Sequence, residues 1–163
     1  SEKFNSPVPV ISGALKKNLS RKDLIIQRIS GALGGVSGKT ITILGLTYKP
    51  GTRTLRRSRA IEVAQALKDS GASLRLSDPE ADERELSTFG RFDFFRDPYE
   101  SARASEAFIL FTSWPIFKSL DFKKLGALAK SQAVFFDTSN FLWDKEKEIN
   151  ASGFRYFGVG RKN

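Results

Sequence analysis

Residues Thr40-Ile41-Thr42-Ile43-Leu44 run straight into a glycine-containing turn, Gly45 to Ser58, and then into an amphipathic run, Ile61 to Leu67. An apolar, β-branched run of five reads as a buried strand. The run after the turn carries its apolar residues at helical spacing. The same alternation continues to the end of the chain. After helix Arg59–Ser70, closed by Gly71, further strands are expected at Ala72–Leu76, Phe108–Thr112, Ala133–Phe136 and Arg155–Phe157. Helices are expected at Glu80–Phe89, Pro98–Ala104, Phe122–Ala129 and Lys145–Ser152. Repeated β-α-β units need a mainly parallel sheet covered on both faces, with right-handed crossovers. The fold class expected is therefore α/β, a three-layer α/β/α Rossmann-like sheet. Gly90 to Phe95 fits this scheme least easily. Its loosely alternating aromatics suggest a short edge strand.

The first strand-to-helix turn carries Lys49, Arg53, Arg56, Arg57 and Arg59. A helix N-terminus presents free N–H groups and a partial positive charge, which repels cations. Five cations there make sense if an anion sits among them, and phosphate is the usual one at such a turn. The alternative is a solvated basic loop. Tyr48 stands beside Lys49 and either covers a ligand or packs under the loop. The turn lacks Gly-x-Gly-x-x-Gly, having only Gly45 and Gly51, so it does not carry the dinucleotide fingerprint. Asp78-Pro79 follows the second strand. Its carboxylate is placed either to hold a ribose or to form an Asp-Pro turn. Trp114, after the strand Phe108–Thr112, either lines a cleft or anchors its loop.

Composition narrows the chemistry. The 163 residues suffice for one domain with a core. There is no cysteine and no histidine. Disulfides, thiolate metal sites, thiol nucleophiles and imidazole acid/base catalysis are thus absent from this chain. No nucleophile–base pair, catalytic residue or metal cluster is expected. The net charge is +9, which favours a polyanionic partner. Nucleic acid is disfavoured, because the cations gather at one turn and the aromatics read as core, whereas single-strand binders expose stacking aromatics along a basic groove. No apolar run approaches the ~20 residues of a membrane span.

At the N-terminus, Pro7 and Pro9 argue for irregular chain over residues 1–12. A helix is expected over 21–33, with Ser20 as N-cap and Asp23 completing a capping-box-like start. Leu24, Ile25, Arg28, Ile29 and Leu33 form its stripe, and Gly34-Gly35 end it. This helix either packs on its own domain or is a linker helix cut from a partner.

Four segments together resemble one family. Gly45-Leu46-Thr47-Tyr48-Lys49 through Thr52, Arg56, Ser58 and Ala60 is similar to the Gly-Leu-x-(Phe/Tyr)-Lys-x-x-Thr-x-Asp-x-Arg-x-Ser-Pro-Ala segment of the UDP-glucose/GDP-mannose dehydrogenases. Ser77-Asp78-Pro79 resembles that family's Tyr-Asp-Pro. Phe111 to Phe117 resembles its Thr-x-Trp-x-x-Phe, and Gly153 to Arg161 its closing Gly-Phe-x-Tyr-x-Gly-x-Gly-Arg. The resemblance covers roughly residues 13–161 and implies the C-terminal, nucleotide-sugar-binding domain of an NAD-dependent nucleotide-sugar 6-dehydrogenase. By resemblance, residues 1–37 are an N-terminal segment with the tail of a central helix, and 38–163 are the C-terminal domain. Tyr48, Lys49 and Arg56 match substrate-binding motif positions, and Arg56 also faces the interdomain cleft where NAD sits. The cofactor and the catalytic Cys and Lys belong chiefly to parts of the enzyme outside this chain. Chains without any Met, even at position 1, fit a piece of a longer protein. The resemblance further implies a UDP- or GDP-sugar as ligand, an N-terminal dehydrogenase domain as partner, homodimerisation through the central helix, and a cytoplasmic location.

Three departures weigh on that implication. Thr54 stands where the family has the Asp that orients the neighbouring arginine. Arg57 and Arg59 flank Ser58 where it has Glu and Pro. In Asp137-Thr138-Ser139-Asn140, Ser139 replaces an Arg that reaches the substrate nucleotide. Either the pocket is rearranged for its sugar nucleotide, or the chain is a non-catalytic nucleotide-sugar or phosphate-binding module that has lost dehydrogenase activity.

Overall fold

The computed structural model describes residues 9–160, with side chains from residue 21 onward. The expectation for residues 1–8, and Arg161 of the closing motif, lie outside the described residues. The sheet has six strands: β1 Thr40–Leu44, β2 Ser73–Ser77, β3 Asp93–Phe95, β4 Ala107–Leu110, β5 Val134–Asp137 and β6 Arg155–Gly158. Their order is β3-β2-β1-β4-β5-β6 and every pairing is parallel. The α-helices are α1 Pro9–Leu33, α2 Arg59–Asp69, α3 Glu83–Thr88, α4 Pro98–Ala102, α5 Phe122–Leu128 and α6 Glu146–Ala151. The α/β/α architecture expected from the alternation is present, and the strand bounds move by at most two residues, the largest shift being the end of β4 at Leu110 rather than Thr112. β1, β4 and β5 are buried on both faces because both faces are covered, and the buried polar side chains among them, Thr42 and Asp137, are hydrogen-bonded.

Two cores result. Ile41, Ile43, Ile109, Val134 and Phe136 point to one face, under α1, α2 and α3. Phe108, Leu110, Phe135 and Tyr156 point to the other, under α4, α5 and α6. Phe108, Phe135 and Phe154 pack there edge to face and stacked, at ring distances of 5.4–5.8 Å. This layout follows from handedness. Right-handed crossovers from β1 to β2 and β2 to β3 put α2 and α3 on one face, and crossovers in the opposite direction put α5 and α6 on the other. The first face over β4 to β6 would then be bare. Helix α1 lies across it, burying Ile29 completely and packing Ile25, Ile26 and Leu33. Arg155 of β6 ties it down by donating to the Ala32 carbonyl at 2.9 Å. The helix before the sheet therefore packs on its own domain.

Two expectations for α1 are corrected. The helix begins at Pro9, so residues 9–12 are not irregular and Ser20 is not an N-cap; it and Asp23 lie mid-helix. Proline at the first helical position lacks only an N–H that has no helical partner. The inward stripe is Ile25, Ile26, Ile29 and Leu33, whereas Leu24 is exposed. The third helix also starts later than Glu80, at Glu83, because Asp82 rather than the Asp-Pro turn caps it, accepting from Arg84 and Glu85 N–H. Edge strand β3 is present over Asp93–Phe95.

Candidate functional site

In an open sheet of this order, α2 leaves β1 toward β2 while the chain after β4 runs the opposite way. The carboxyl ends of β1 and β4 thus diverge and leave a crevice. The turn after β1 forms one wall. Gly45, at φ +80°, lies so close to β4 that a Cβ there would meet the Thr112 backbone N at 2.6 Å. Ser58 ends the turn as the N-cap of α2, its Oγ accepting from Ile61 N–H and donating to the Leu46 carbonyl. Thr112 donates to the Thr47 carbonyl. The start of the turn is thereby fixed to the segment after β4, and its end is tied back to its start.

Of the two roles open to it from the sequence, Asp78 takes the turn-forming one and adds a wider anchoring role. It is fully buried. One carboxylate oxygen accepts from Leu46 N–H at 2.7 Å, Thr47 N–H at 3.1 Å and Trp114 Nε1 at 3.1 Å. The other accepts from Glu80 and Ala81 N–H, both at 2.8 Å, closing the Asp-Pro turn. No acceptor capacity is left for a ribose. Trp114 is an anchor as well, donating to Asp78 and to Thr47 Oγ1. Asp137 plays the same part after β5, accepting from Ser139 and Leu142 N–H and from the Tyr156 hydroxyl.

Above these anchors lies a cleft with two adjoining compartments. The outer one, about 510 Å³, is lined by Thr47, Tyr48, Lys49, Ser58, Thr112 and Ser139. The inner one, about 270 Å³, lies between α1 and α2 and has Leu24, Ile25, Val63 and Phe136 in its lining. Arg21, Arg57, Arg59, Phe111 and Thr138 line both. Lys22, Arg28 and Glu62 complete the charged lining of the inner one. Arg57 reaches the cleft from a left-handed backbone, φ 58°, a conformation that costs a side-chain-bearing residue about 1–2 kcal/mol. Among the described residues, Arg21, Lys49, Arg57 and Arg59 make no ion pair within 4.0 Å.

Of the residues singled out from the sequence, Tyr48 and Lys49 lie on the cleft, and Tyr48 is 60% exposed, so it does not pack under the loop. Arg56 is not among the lining residues. Its side chain is 89% exposed and its Nε lies 3.9 Å from Glu85 of α3. Glu85 also accepts from Leu55 N–H at 2.9 Å and from Thr54 Oγ1 at 3.2 Å. The carboxylate missing at position 54 is thus met by one from another element. Sequence reasoning missed Glu85, and it missed Arg21, which reaches the cleft because α1 folds back over the sheet. Ser139 sits on the cleft wall, its hydroxyl 3.1 Å from that of Ser113. Among the described residues there is no group of His, Cys, Asp or Glu fit for a metal ion, and no helix long and apolar enough to cross a membrane.

The first turn does not fit a nicotinamide dinucleotide. Its leading glycine is used for close packing on Thr112, and the acid that would hold a ribose is spent on backbone donors.

Comparison with known proteins agrees with this geometry. Residues 42–144 match the UDP-binding domain of the UDP-glucose/GDP-mannose dehydrogenase family. The chain is 35% identical over 162 residues to the UDP-glucose 6-dehydrogenase of Rhizobium meliloti (strain 1021), covering 99% of this chain and 36% of that enzyme. It is 33% identical to that of Rickettsia bellii (strain RML369-C), covering 94% of this chain and 35% of that enzyme. The chain thus spans about a third of the length of the curated relatives it matches. The structure of a UDP-glucose dehydrogenase from Pyrobaculum islandicum superimposes on 76% of the chain and 27% of its own length, with TM-score 0.66 and 31% identity. The NDP-N-acetyl-D-galactosaminuronic acid dehydrogenase from Methanosarcina mazei Go1 covers 99% of this chain and 33% of its own, with TM-score 0.75; at 18% identity it shows the fold alone. The chain belongs to the UDP-glucose/GDP-mannose dehydrogenase family and carries its C-terminal, UDP-binding domain.

Proposed function

We propose that this domain holds the nucleotide of a UDP- or GDP-sugar at the cleft over the carboxyl ends of β1, β4 and β5, within an NAD-dependent nucleotide-sugar 6-dehydrogenase. The observation that carries this reading is the cleft itself: it sits at the divergence of β1 and β4 and is lined by Arg21, Lys49, Arg57 and Arg59, which make no ion pair among the described residues. Lys49 contributes a flexible point charge for a phosphate. Tyr48, exposed beside it, covers the ligand's sugar or base. Arg56 reaches outward from the turn, toward a second domain that holds NAD. The chain has no Cys or His and no dinucleotide fingerprint, so oxidation of the sugar is the work of groups outside it. A cytoplasmic enzyme that dimerises through a central helix whose tail is α1 completes the reading.

Isothermal titration of the purified chain with UDP-glucose and GDP-mannose tests it. One of the two is expected to bind, and Lys49→Ala to weaken it several-fold, since a charge-assisted contact is worth roughly 1.5–3 kcal/mol. No binding of either sugar nucleotide would remove the reading. A second reading, a binding module in a parent without turnover, draws on Ser139 in place of a substrate arginine. It predicts the same titration but no reduced-nicotinamide absorbance from the full-length parent.

A further inference from the structure

We infer that Glu85 of α3 is a positioning residue of this site: through Thr54 it sets the arm of the first turn that carries Tyr48 and Lys49, without itself lining the cleft. This role rests on the proposed nucleotide-sugar reading and adds to it the element that holds the ligand-facing arm in place.

The turn after β1 folds back on itself, and its two arms are held differently. Leu46 and Thr47, at the start of the first arm, are fixed by the Asp78 carboxylate and by Thr112. Beyond them, Tyr48 N–H donates to the Thr54 carbonyl at 3.2 Å, so Tyr48 and the adjoining Lys49 take their place from the second arm. That arm is fastened to α3. The Arg53 carbonyl accepts from Asp82 N–H at 3.1 Å. Glu85 then holds the residues that follow. One carboxylate oxygen accepts from Leu55 N–H at 2.9 Å. The other accepts from Thr54 Oγ1 at 3.2 Å and lies 3.9 Å from Arg56 Nε. Thr54 Oγ1 in turn accepts from Arg56 N–H at 3.2 Å. Arg56 is exposed, so its ion pair is the weak member of the set. The Glu85 side chain is only 23% exposed, and its bonds to Leu55 and Thr54 carry the hold. A carboxylate suits this place because it accepts at both oxygens, whereas an amide would turn a donor toward the guanidinium. A carboxylate at position 54 would meet part of the same set, since Asp accepts from the N–H two residues on. It would leave Leu55 N–H without Glu85.

The test is amide hydrogen exchange of the whole chain in wild type, Glu85→Ala and Glu85→Ala/Thr54→Asp, with isothermal titration of UDP-glucose and GDP-mannose. Thermal melts check folding, and Glu85→Gln, expected to act in the same direction, replaces Glu85→Ala if that unfolds. In Glu85→Ala, Tyr48 N–H should exchange about tenfold faster as the arm opens, while Leu46 and Thr47 N–H, held by Asp78, keep wild-type rates. Affinity for the sugar nucleotide that binds should fall several-fold, and by less in a Lys49→Ala background, because Glu85 acts through that arm. A merely structural role would cost the same in both backgrounds. Adding Thr54→Asp should restore Tyr48 exchange and affinity but not the melting temperature, since Leu55 N–H still lacks its acceptor. Unchanged Tyr48 exchange in Glu85→Ala overturns the role of Glu85, as does an equal loss of affinity with and without Lys49, and the nucleotide-sugar reading then stands. If wild type binds neither sugar nucleotide, that reading fails, and the exchange rates alone decide whether Glu85 sets the arm.

Discussion

At the residue scale, the side chains that shape the cleft are mostly not the ones that would touch a ligand. Asp78 joins the turn after β1, the turn after β2 and Trp114 through one buried carboxylate. Replacing it by Asn turns one acceptor into a donor that faces N–H groups. Asp78→Asn should cost about 3 kcal/mol in urea unfolding, because a buried group loses charge-assisted partners. It should also shift Trp114 fluorescence. Arg57 makes the opposite prediction. Glycine tolerates φ 58° freely, so Arg57→Gly should raise stability by about 1 kcal/mol while weakening UDP binding. A variant that is both less stable and fully competent in binding would show that the strain at Arg57 has no link to the cleft. These roles were only partly legible in the sequence. Lys49 and Tyr48 could be picked out because they stand in the strand-to-helix turn. Arg21 and Glu85 could not, because each reaches the site through tertiary packing that no local pattern records.

At the element scale, strands and core helices were legible from hydrophobic runs and Asp or Ser caps, since burial on both faces leaves continuous apolar strings. The miss at α1 has a physical cause. Ser20 followed by Asp23 is a good start signal, but helix starts are weak local preferences that a longer helix can override. Edge strand β3 was hard to read for a similar reason. The aromatics in and beside it sit under cations at 4.4–5.0 Å, and two of these, Lys68 over Phe92 and Arg75 over Phe95, come from distant parts of the chain, whereas Arg96 over Phe94 is local. Helix α1 also offers a direct test of how it belongs to the domain. Ile29 is 1% exposed, in the same core cluster as Val134 and Phe136. Ile29→Ala should destabilise the whole domain by about 3 kcal/mol in urea unfolding. A two-stage unfolding with an unchanged main transition would mean that α1 only rests on the sheet.

At the scale of the whole molecule, the two ends of the sheet do different work. The amino-terminal end is stitched together by Glu106, which pairs with Lys39 at 3.1 Å and Lys130 at 3.7 Å and accepts from Thr40 N–H. Burial pushes its carboxyl up, but the Lys39 hydrogen bond, the Thr40 N–H and the two lysine charges outweigh it and hold the pKa below the ordinary 4.5. A carboxyl depressed by folding contributes stability in full above its unfolded pKa and loses it as pH falls through the folded one. The stability gap between wild type and Glu106→Gln should therefore be widest near neutrality and shrink below about pH 4. A gap independent of pH would place the stabilisation in packing. The carboxyl-terminal end gathers Arg21, Lys49, Arg57 and Arg59, which make no ion pair among the described residues, so the proposed ligand belongs at that end. Amide chemical-shift mapping of the folded chain titrated with UDP tests it most directly. Shifts should concentrate at Thr47–Lys49, Arg57–Ala60, Phe111–Thr112 and Thr138–Ser139, with Arg21 and Leu24 of α1 moving alongside. Saturable shifts confined to the opposite end of the sheet, around Lys39, Glu106 and Lys130, or no saturable shifts at all, would contradict the assignment.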